Sequence, residues 1–318
     1  MVSKKRICVT RKDIWNSGCP GLLRVTLFIA TLLIPLLAAG CGGKENTNTK
    51  RPSAISGTLQ LNTERPILDV SREQAAIFQT YYPDTRISVN AVAPEHILSS
   101  LLNKQAGAVL VCGSLSAGED SLLLDKAWRG RKEPVARDAV ICIVNRRSAP
   151  DSLSTSTIAM MLSGKLRSAG DLVPLITENN YRLLLTLRDQ LHIEKSTIHA
   201  LQAPSDSLLA VKTASDTGVI GLLFLSSYNE LALPAHIRDL VRIVPVLSDE
   251  QKARATLPSE QHIFDGTYPL ATIVHYIYLS GNPLAAGLGS WLSKDGQKGF
   301  ERSYLAPFRQ VPRTIILK

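Results

Sequence analysis

Between Gly57 and Asn145 the apolar positions switch repeatedly between a two-residue and a roughly 3.6-residue period, the mark of strands alternating with helices. Thr58-Leu59-Gln60-Leu61 predicts a short strand. Ser71-Arg72-Glu73-Gln74 has the spacing of a capping box, and Val70, Ile77, Phe78 and Tyr81 then share one helical face up to Pro83. Arg86 to Val92 predicts the next strand, Glu95 to Asn103 a helix, and Ala108 to Cys112 a buried strand. Such a βαβαβ run implies a largely parallel sheet covered by helices.

Val135 to Asn145 is strand-like throughout and long enough to pass between two lobes. After it the pattern predicts helices over Ser154–Leu162 and Tyr181–Leu191 and a third opened by Ser205-Asp206. Strands are predicted over Leu172–Ile176, Thr197–Leu201, Val219–Leu225, Arg242–Val246 and Tyr268–Leu279. A final amphipathic helix carries Leu284, Leu288, Trp291 and Leu292. About 260 residues exceed what one core usually serves. The expected architecture is therefore α/β with two lobes and a cleft between them: lobe 1 from 57–135 and 245–318, lobe 2 from 136–244. A cleft between lobes is a common ligand site.

The first 56 residues read differently. Six basic residues and one acid in the first 24 precede an uncharged apolar run from Val25 to Ala39. That is the layout of a secretory signal peptide, over residues 1–40. The run is shorter than the ~20 residues a membrane span needs and contains Pro35. Its end, Leu37-Ala38-Ala39-Gly40-Cys41, resembles the lipobox of bacterial lipoproteins. The resemblance implies cleavage before Cys41, a lipid on its thiol, and a chain anchored to a bacterial membrane at the periplasm or cell surface. Residues 41–56 are small and polar and are expected to form a flexible tether.

Charge then changes the picture. Of the chain's +9, the first 24 residues hold +5 and the stretch from Lys44 to Arg51 a further +2, leaving +2 for residues 57–318. Basic character confined to the leader and tether gives no support for nucleic acid as a partner. Cys8 and Cys19 fall in the leader, and Cys112 and Cys142 in buried-strand patterns; two free core thiols and a disulfide between them are both open. No C-x-x-C, H-E-x-x-H, phosphate-loop or G-x-S-x-G motif occurs, so neither metal, cofactor nor enzymatic activity is expected.

A family pattern runs through the body. Arg137-Asp138-Ala139-Val140-Ile141-Cys142-Ile143-Val144-Asn145, followed by Ser152-Leu153 and Ser163-Gly164-Lys165, is similar to a stretch of the phosphate-binding proteins of ABC importers. There an A-x-D-A-V-x-x-I-V-N strand precedes a helix ending in S-G-K. Phe78 with Tyr82-Pro83, Thr217-Gly218-Val219-Ile220-Gly221, Tyr268-Pro269-Leu270 and Asp295-Gly296-Gln297 continue the match in order. The resemblance implies a type II periplasmic-binding-protein fold, two lobes closing on a small anion, and delivery of that ligand to an ABC permease by a monomeric receptor.

The ligand residues depart from that pattern. The family holds phosphate with Gly-Ser-Thr-like residues after the first strand, an aspartate after the third, and an Arg and a Ser-Gly-Thr turn before a helix of the second lobe. Here the first loop is Asn62-Thr63-Glu64-Arg65, where Thr63 is the counterpart. The third is Cys112-Gly113-Ser114, where Ser114 is the candidate. The second-lobe turn is Thr177-Glu178-Asn179-Asn180-Tyr181. Glu178 would repel an oxyanion at a helix start, where free N–H groups otherwise favour one. Asn179 and Asn180 serve either as turn and cap or as ligand contacts. Two functions are expected from these residues: a solute-binding lipoprotein for a small anion, or a sensor or interaction lipoprotein whose ligand site has degenerated.

Overall fold

The computed structural model describes residues 53–165, 172–193, 198–249 and 254–310; the expected signal peptide and the expected lipidation site at Cys41 lie outside them. In the first half β1 (Gly57–Thr63), α1 (Leu68–Tyr81), β2 (Thr85–Ala91), α2 (Ile97–Leu102), β3 (Ala108–Cys112) and α3 (Ala117–Leu124) alternate, and β4 (Gly130–Asn145) follows. Then come β5 (Leu153–Ser154), α4 (Thr155–Leu162), β6 (Val173–Thr177), α5 (Tyr181–Gln190), β7 (Leu201–Ala203), α6 (Asp206–Ser215) and β8 (Val219–Phe224). Next are α7 (Leu225–Glu230), α8 (Ala235–Arg238), β9 (Val241–Ile243) and β10 (Val246–Leu247). The C-terminal part holds α9 (Glu260–Phe264), β11 (Ala271–Leu279), α10 (Pro283–Leu292), α11 (Gln297–Glu301) and β12 (Ala306–Pro307).

The strand order is β2-β1-β3-β11-β4-β8-β6-β7, with β12 and β9 also on β4. Strand β4 divides this order. Its residues from Gly130 to Ala139 pair antiparallel with β11 and β12, whereas Val140 to Asn145 pair antiparallel with β8 and β9. On the outer side of each half the pairs are parallel: β2 and β3 on β1, β7 and β8 on β6. Both halves are thus mixed sheets that share one continuous strand. Residues 136–139, expected in lobe 2, pair with the first half, and the register changes hands at Ala139–Val140. The reason lies in the composition of β4: Val135, Ala136 and Ala139 through Val144 are all fully buried, so helices can cover the strand on both faces along its length. Tyr268 donates to Val140 O at 3.0 Å and Gln297 to Val135 O at 2.8 Å, tying the C-terminal segment to the same strand.

Two local expectations are corrected. The helix assigned a capping box at Ser71 begins earlier, at Leu68, because Pro66 presets the helical φ of a short 3₁₀ turn, Arg65–Ile67, that leads into it. Ser71 and Gln74 therefore lie buried within α1, where Ser71 donates to Ile67 O at 2.5 Å and Gln74 to Gly296 O at 3.2 Å. The complete capping box stands at α3 instead, where Ser116 Oγ accepts from Glu119 N and Glu119 Oε2 from Ser116 N. The expected tether also ends sooner than residue 56: Ser53 and Ser56 form a bridged turn, and the backbone of Ala54 packs where a side chain on Gly287 would project.

Candidate functional site

The loops after β1 and β3 and the first turn of α5 converge on one buried guanidinium. Arg182, the second residue of α5, is wholly buried, although arginine is almost never so unless paired. Its Nε donates to Glu64 Oε1 at 3.1 Å, Nη1 to Ser114 O at 2.9 Å and to Glu119 Oε2 at 3.0 Å, and Nη2 to Glu119 Oε1 at 3.0 Å. The pairing with Glu119 is a parallel fork, the strong geometry for guanidinium and carboxylate. Glu119 Oε2 is also the acceptor of the α3 capping box, so the helix that presents this carboxylate is fixed by it.

The second carboxylate is more deeply enclosed. Glu64 is 2% exposed, and its Oε2 accepts from Cys112 N at 3.2 Å. Burial pushes its carboxyl up to about 7 against the opposing pull of Arg182 and the Cys112 N–H. For Arg182 burial acts to lower the pKa, but the hydrogen bond to Glu119 and the charge of Glu64 outweigh it and the pKa is raised. Arg182 is thus held charged by the fork to Glu119 and the charge of Glu64, while burial raises the Glu64 carboxyl.

The network continues through the core. Cys112 Sγ lies 3.3 Å from Asp138 Oδ2, and burial holds the thiol protonated, so it donates. Asp138 also accepts from Ser226 Oγ at 2.5 Å, Ser226 N at 3.2 Å and Ala139 N at 2.7 Å. Its pKa is raised by burial, with these donors acting against the rise. Cys112 and Cys142 are both free and buried, which decides between the two readings of their sequence context.

Beside this cluster a cavity of ≈ 560 Å³ opens between the halves. Arg65, Pro66 and residues 91–94 line it from the first half; Thr177, Glu178, Asn179, Asn180 and residues 205–207, with Ser227 and residues 230–232, line it from the second. These are the carboxyl ends of β1, β2, β6 and β7, the usual place for a ligand in an open α/β sheet. Among the candidates read from the sequence, Glu178, Asn179 and Asn180 meet here. Asn180 caps α5, accepting from Leu183 N at 3.1 Å, and Asn179 takes the left-handed turn position at φ 55°.

The other two candidates lie elsewhere. Thr63 is fully buried beside Ser71, with Oγ atoms 3.3 Å apart, and Ser114 bonds across to α5 through Thr186 Oγ1 at 2.9 Å and Asp189 Oδ2 at 2.8 Å. Both are engaged within the protein, and neither lines the cavity. Sequence reading missed Arg182, Glu64 and Glu119 as a group. Arg182 stands just past the turn where an arginine was sought, and the one available signal was Ser116-x-x-Glu119, a capping box hidden in a Gly-Ser-rich stretch.

A non-enzymatic binding domain of two α/β halves around a cleft is the class this architecture defines. The chain belongs to the PBP superfamily: the profile described as PBP superfamily domain matches residues 48–295. Its fold is similar to that of a Clostridium perfringens protein assigned as a phosphate ABC transporter substrate-binding protein and solved with bound phosphate, at TM-score 0.61 and 14% identity, covering 80% of this chain and 100% of that one. An ABC-type phosphate transport receptor from Vibrio cholerae is similar at TM-score 0.60 and 15% identity, covering 77% and 98%. The likeness extends to an OxyR mutant from Corynebacterium glutamicum, at TM-score 0.51 and 14% identity, covering 88% and 72%. Transport receptors and a regulator therefore share this fold, which by itself selects neither role. No curated protein matches the chain in sequence. No helix among the described residues is long and apolar enough to cross a membrane.

Proposed function

We propose that this protein is an extracytoplasmic solute-binding lipoprotein, tethered through Cys41, that serves an ABC-type permease and does not use inorganic phosphate as its ligand. The carrying observation is Arg182, with its Nε and both terminal nitrogens bonded to Glu64, Glu119 and Ser114. The resemblance to phosphate-binding proteins puts the anion among the loops after the first and third strands and the start of a second-lobe helix. In this chain those same three segments meet on one another, and two carboxylates stand where an anion would need donors. A phosphate entering there would have to displace both, leaving buried charges unpaired.

Calorimetric titration of the full chain in detergent with inorganic phosphate tests this reading. No saturable binding is expected at neutral pH, and micromolar affinity would overturn it. For the anchor, Cys41→Ser is expected to leave an unprocessed precursor that takes up no labelled fatty acid; labelling of that variant would refute the tether. A second reading, a sensor or assembly partner whose ligand site has closed, draws on the same ion cluster. It would be favoured over the first if no solute of any class bound the chain.

A further inference from the structure

We infer that the two halves are locked together by one face of α5 and do not hinge apart, so that the cavity between them keeps one shape whether filled or empty. The inference concerns motion and goes beyond the choice of solute: it holds for a receptor and for a sensor alike. Helix α5 lies between β6 and β7 and so belongs to the second half. Its residues Arg182, Thr186, Asp189 and Gln190 follow one another at spacings of four, three and one, which puts them on one helical face. Every one of them bonds to the first half. Arg182 reaches Glu64, Ser114 and Glu119; Thr186 Oγ1 accepts from Ser114 N and Asp189 Oδ2 from Ser114 Oγ; and Gln190 Nε2 donates to Ala271 O at 2.6 Å.

A second set of contacts crosses at α7. Ser226 donates from both N and Oγ to Asp138 on the first-half part of β4, and Tyr304, just before β12, sets its hydroxyl against Glu230. The apolar packing agrees. Domains that swing about a hinge keep separate cores and meet over a more polar interface. Here a single cluster of buried apolar side chains runs from Leu59 and Leu61 of β1 through β4 to Leu187 of α5 and Leu209 of α6. At Gly113 the halves approach so closely that a Cβ would lie 2.2 Å from Thr186 Oγ1 and 3.3 Å from Phe224. A hinge rotation would have to part the α5 face, the α7 contacts and this core together, and would strip a wholly buried arginine of its carboxylates.

The test is pulsed electron paramagnetic resonance on the full chain in detergent, with Cys8, Cys19 and Cys41 replaced by Ser and spin labels at Ala93→Cys and Ser207→Cys. Both positions are exposed and line the cavity from opposite halves, and the remaining cysteines, Cys112 and Cys142, are buried. The expected result is one narrow distance distribution that added inorganic phosphate leaves in place. A second, longer distance in the otherwise unmutated chain, or a shift on adding phosphate, would overturn the lock. Thr186→Val with Gln190→Leu removes two crossing bonds without touching a charge and is expected to add a longer-distance population. A folded double variant that keeps the single narrow distribution would overturn the assignment of the lock to α5. Should that variant fail to fold, Arg182→Lys decides the same point, since it keeps the charge and loses the fork to Glu119.

Discussion

Two neighbouring regions of this cleft use the same residue types to opposite ends. In the Arg182 cluster the guanidinium and both carboxylates are turned on one another and sealed from water, with Arg182 wholly buried and Glu64 2% exposed. In the adjoining cavity Arg65 and Glu178 are exposed and Ser227 Oγ is unpartnered. The first region has its charges satisfied internally and holds the halves together. The second keeps unspent hydrogen-bonding capacity and open volume, which is what a ligand can use. An arginine in a cleft therefore marks a binding site only if its donors are free.

The comparison breaks most visibly at Arg182. Arg182→Met leaves two enclosed carboxylates without their counter-charge and is expected to destabilise the fold by about 3–5 kcal/mol, read from urea denaturation. Adding Glu64→Gln and Glu119→Gln is expected to recover much of that loss, since the destabilisation comes from unpaired charge. Triple and single variants of equal stability would show that Arg182 acts by its packing alone.

Acidity probes the same cluster. Glu64 takes up its proton near pH 7 when folded and near its ordinary 4.5 when unfolded, so the folded state holds the extra proton in between and stability falls as pH rises through that window. Burial, aided by Lys132, depresses His275 from 6.5 to about 4. Here the folded state lacks a proton the unfolded chain binds, and stability is lost as pH falls from 6.5 through 4. The two slopes oppose one another between about pH 4.5 and 6.5, each approaching 1.4 kcal/mol per pH unit. Glu64→Gln is expected to remove one of them, so that relative to the unmutated chain its stability climbs with pH from 4.5 to 7. Parallel profiles of the two proteins would contradict the titration of Glu64.

A smaller effect is expected on the wall of the Arg182 cluster. Gly113 sits at φ 97°, and a Cβ there would lie 2.2 Å from Thr186 Oγ1 and 3.4 Å from the Arg182 side chain. Gly113→Ala combines left-handed strain with that overlap and should cost about 1–3 kcal/mol in the same denaturation experiment. Glu178→Gln completes the series: on the exposed turn of the cavity it should change stability by less than about 0.5 kcal/mol. A larger loss would mean that Glu178 belongs with the sealed cluster.

Much of the fold was legible along the chain. The alternating run at Thr58–Leu61 and the continuous apolar runs at Ala108–Cys112 and Val219–Leu225 fall on β1, β3 and β8, and Asn180 and Ser205 cap the helices they precede. Those features are local: a half-buried strand declares itself by a period of two, a fully buried one by a short unbroken apolar run, and a cap by one side chain reaching its own third N–H. At Ser71 a local signal was outweighed by Pro66 five residues upstream, a competition between two starts for one helix.

The amino-acid order by itself determined the α/β alternation and the apolar stretch of β4 from Val135 to Asn145, because each is written in a contiguous window of polarity. Only the tertiary structure decided the fate of the charges. Glu64, Glu119 and Arg182 are far apart in the chain, and no periodicity predicts that three segments will bring both carboxylates within 3.1 Å of the one guanidinium. Glu178 and Glu64 are indistinguishable as letters in polar loops. The packing of α5 against the loops of β1 and β3 removes one from water and leaves the other exposed, since burial of a charge depends on which partners the fold can bring to it.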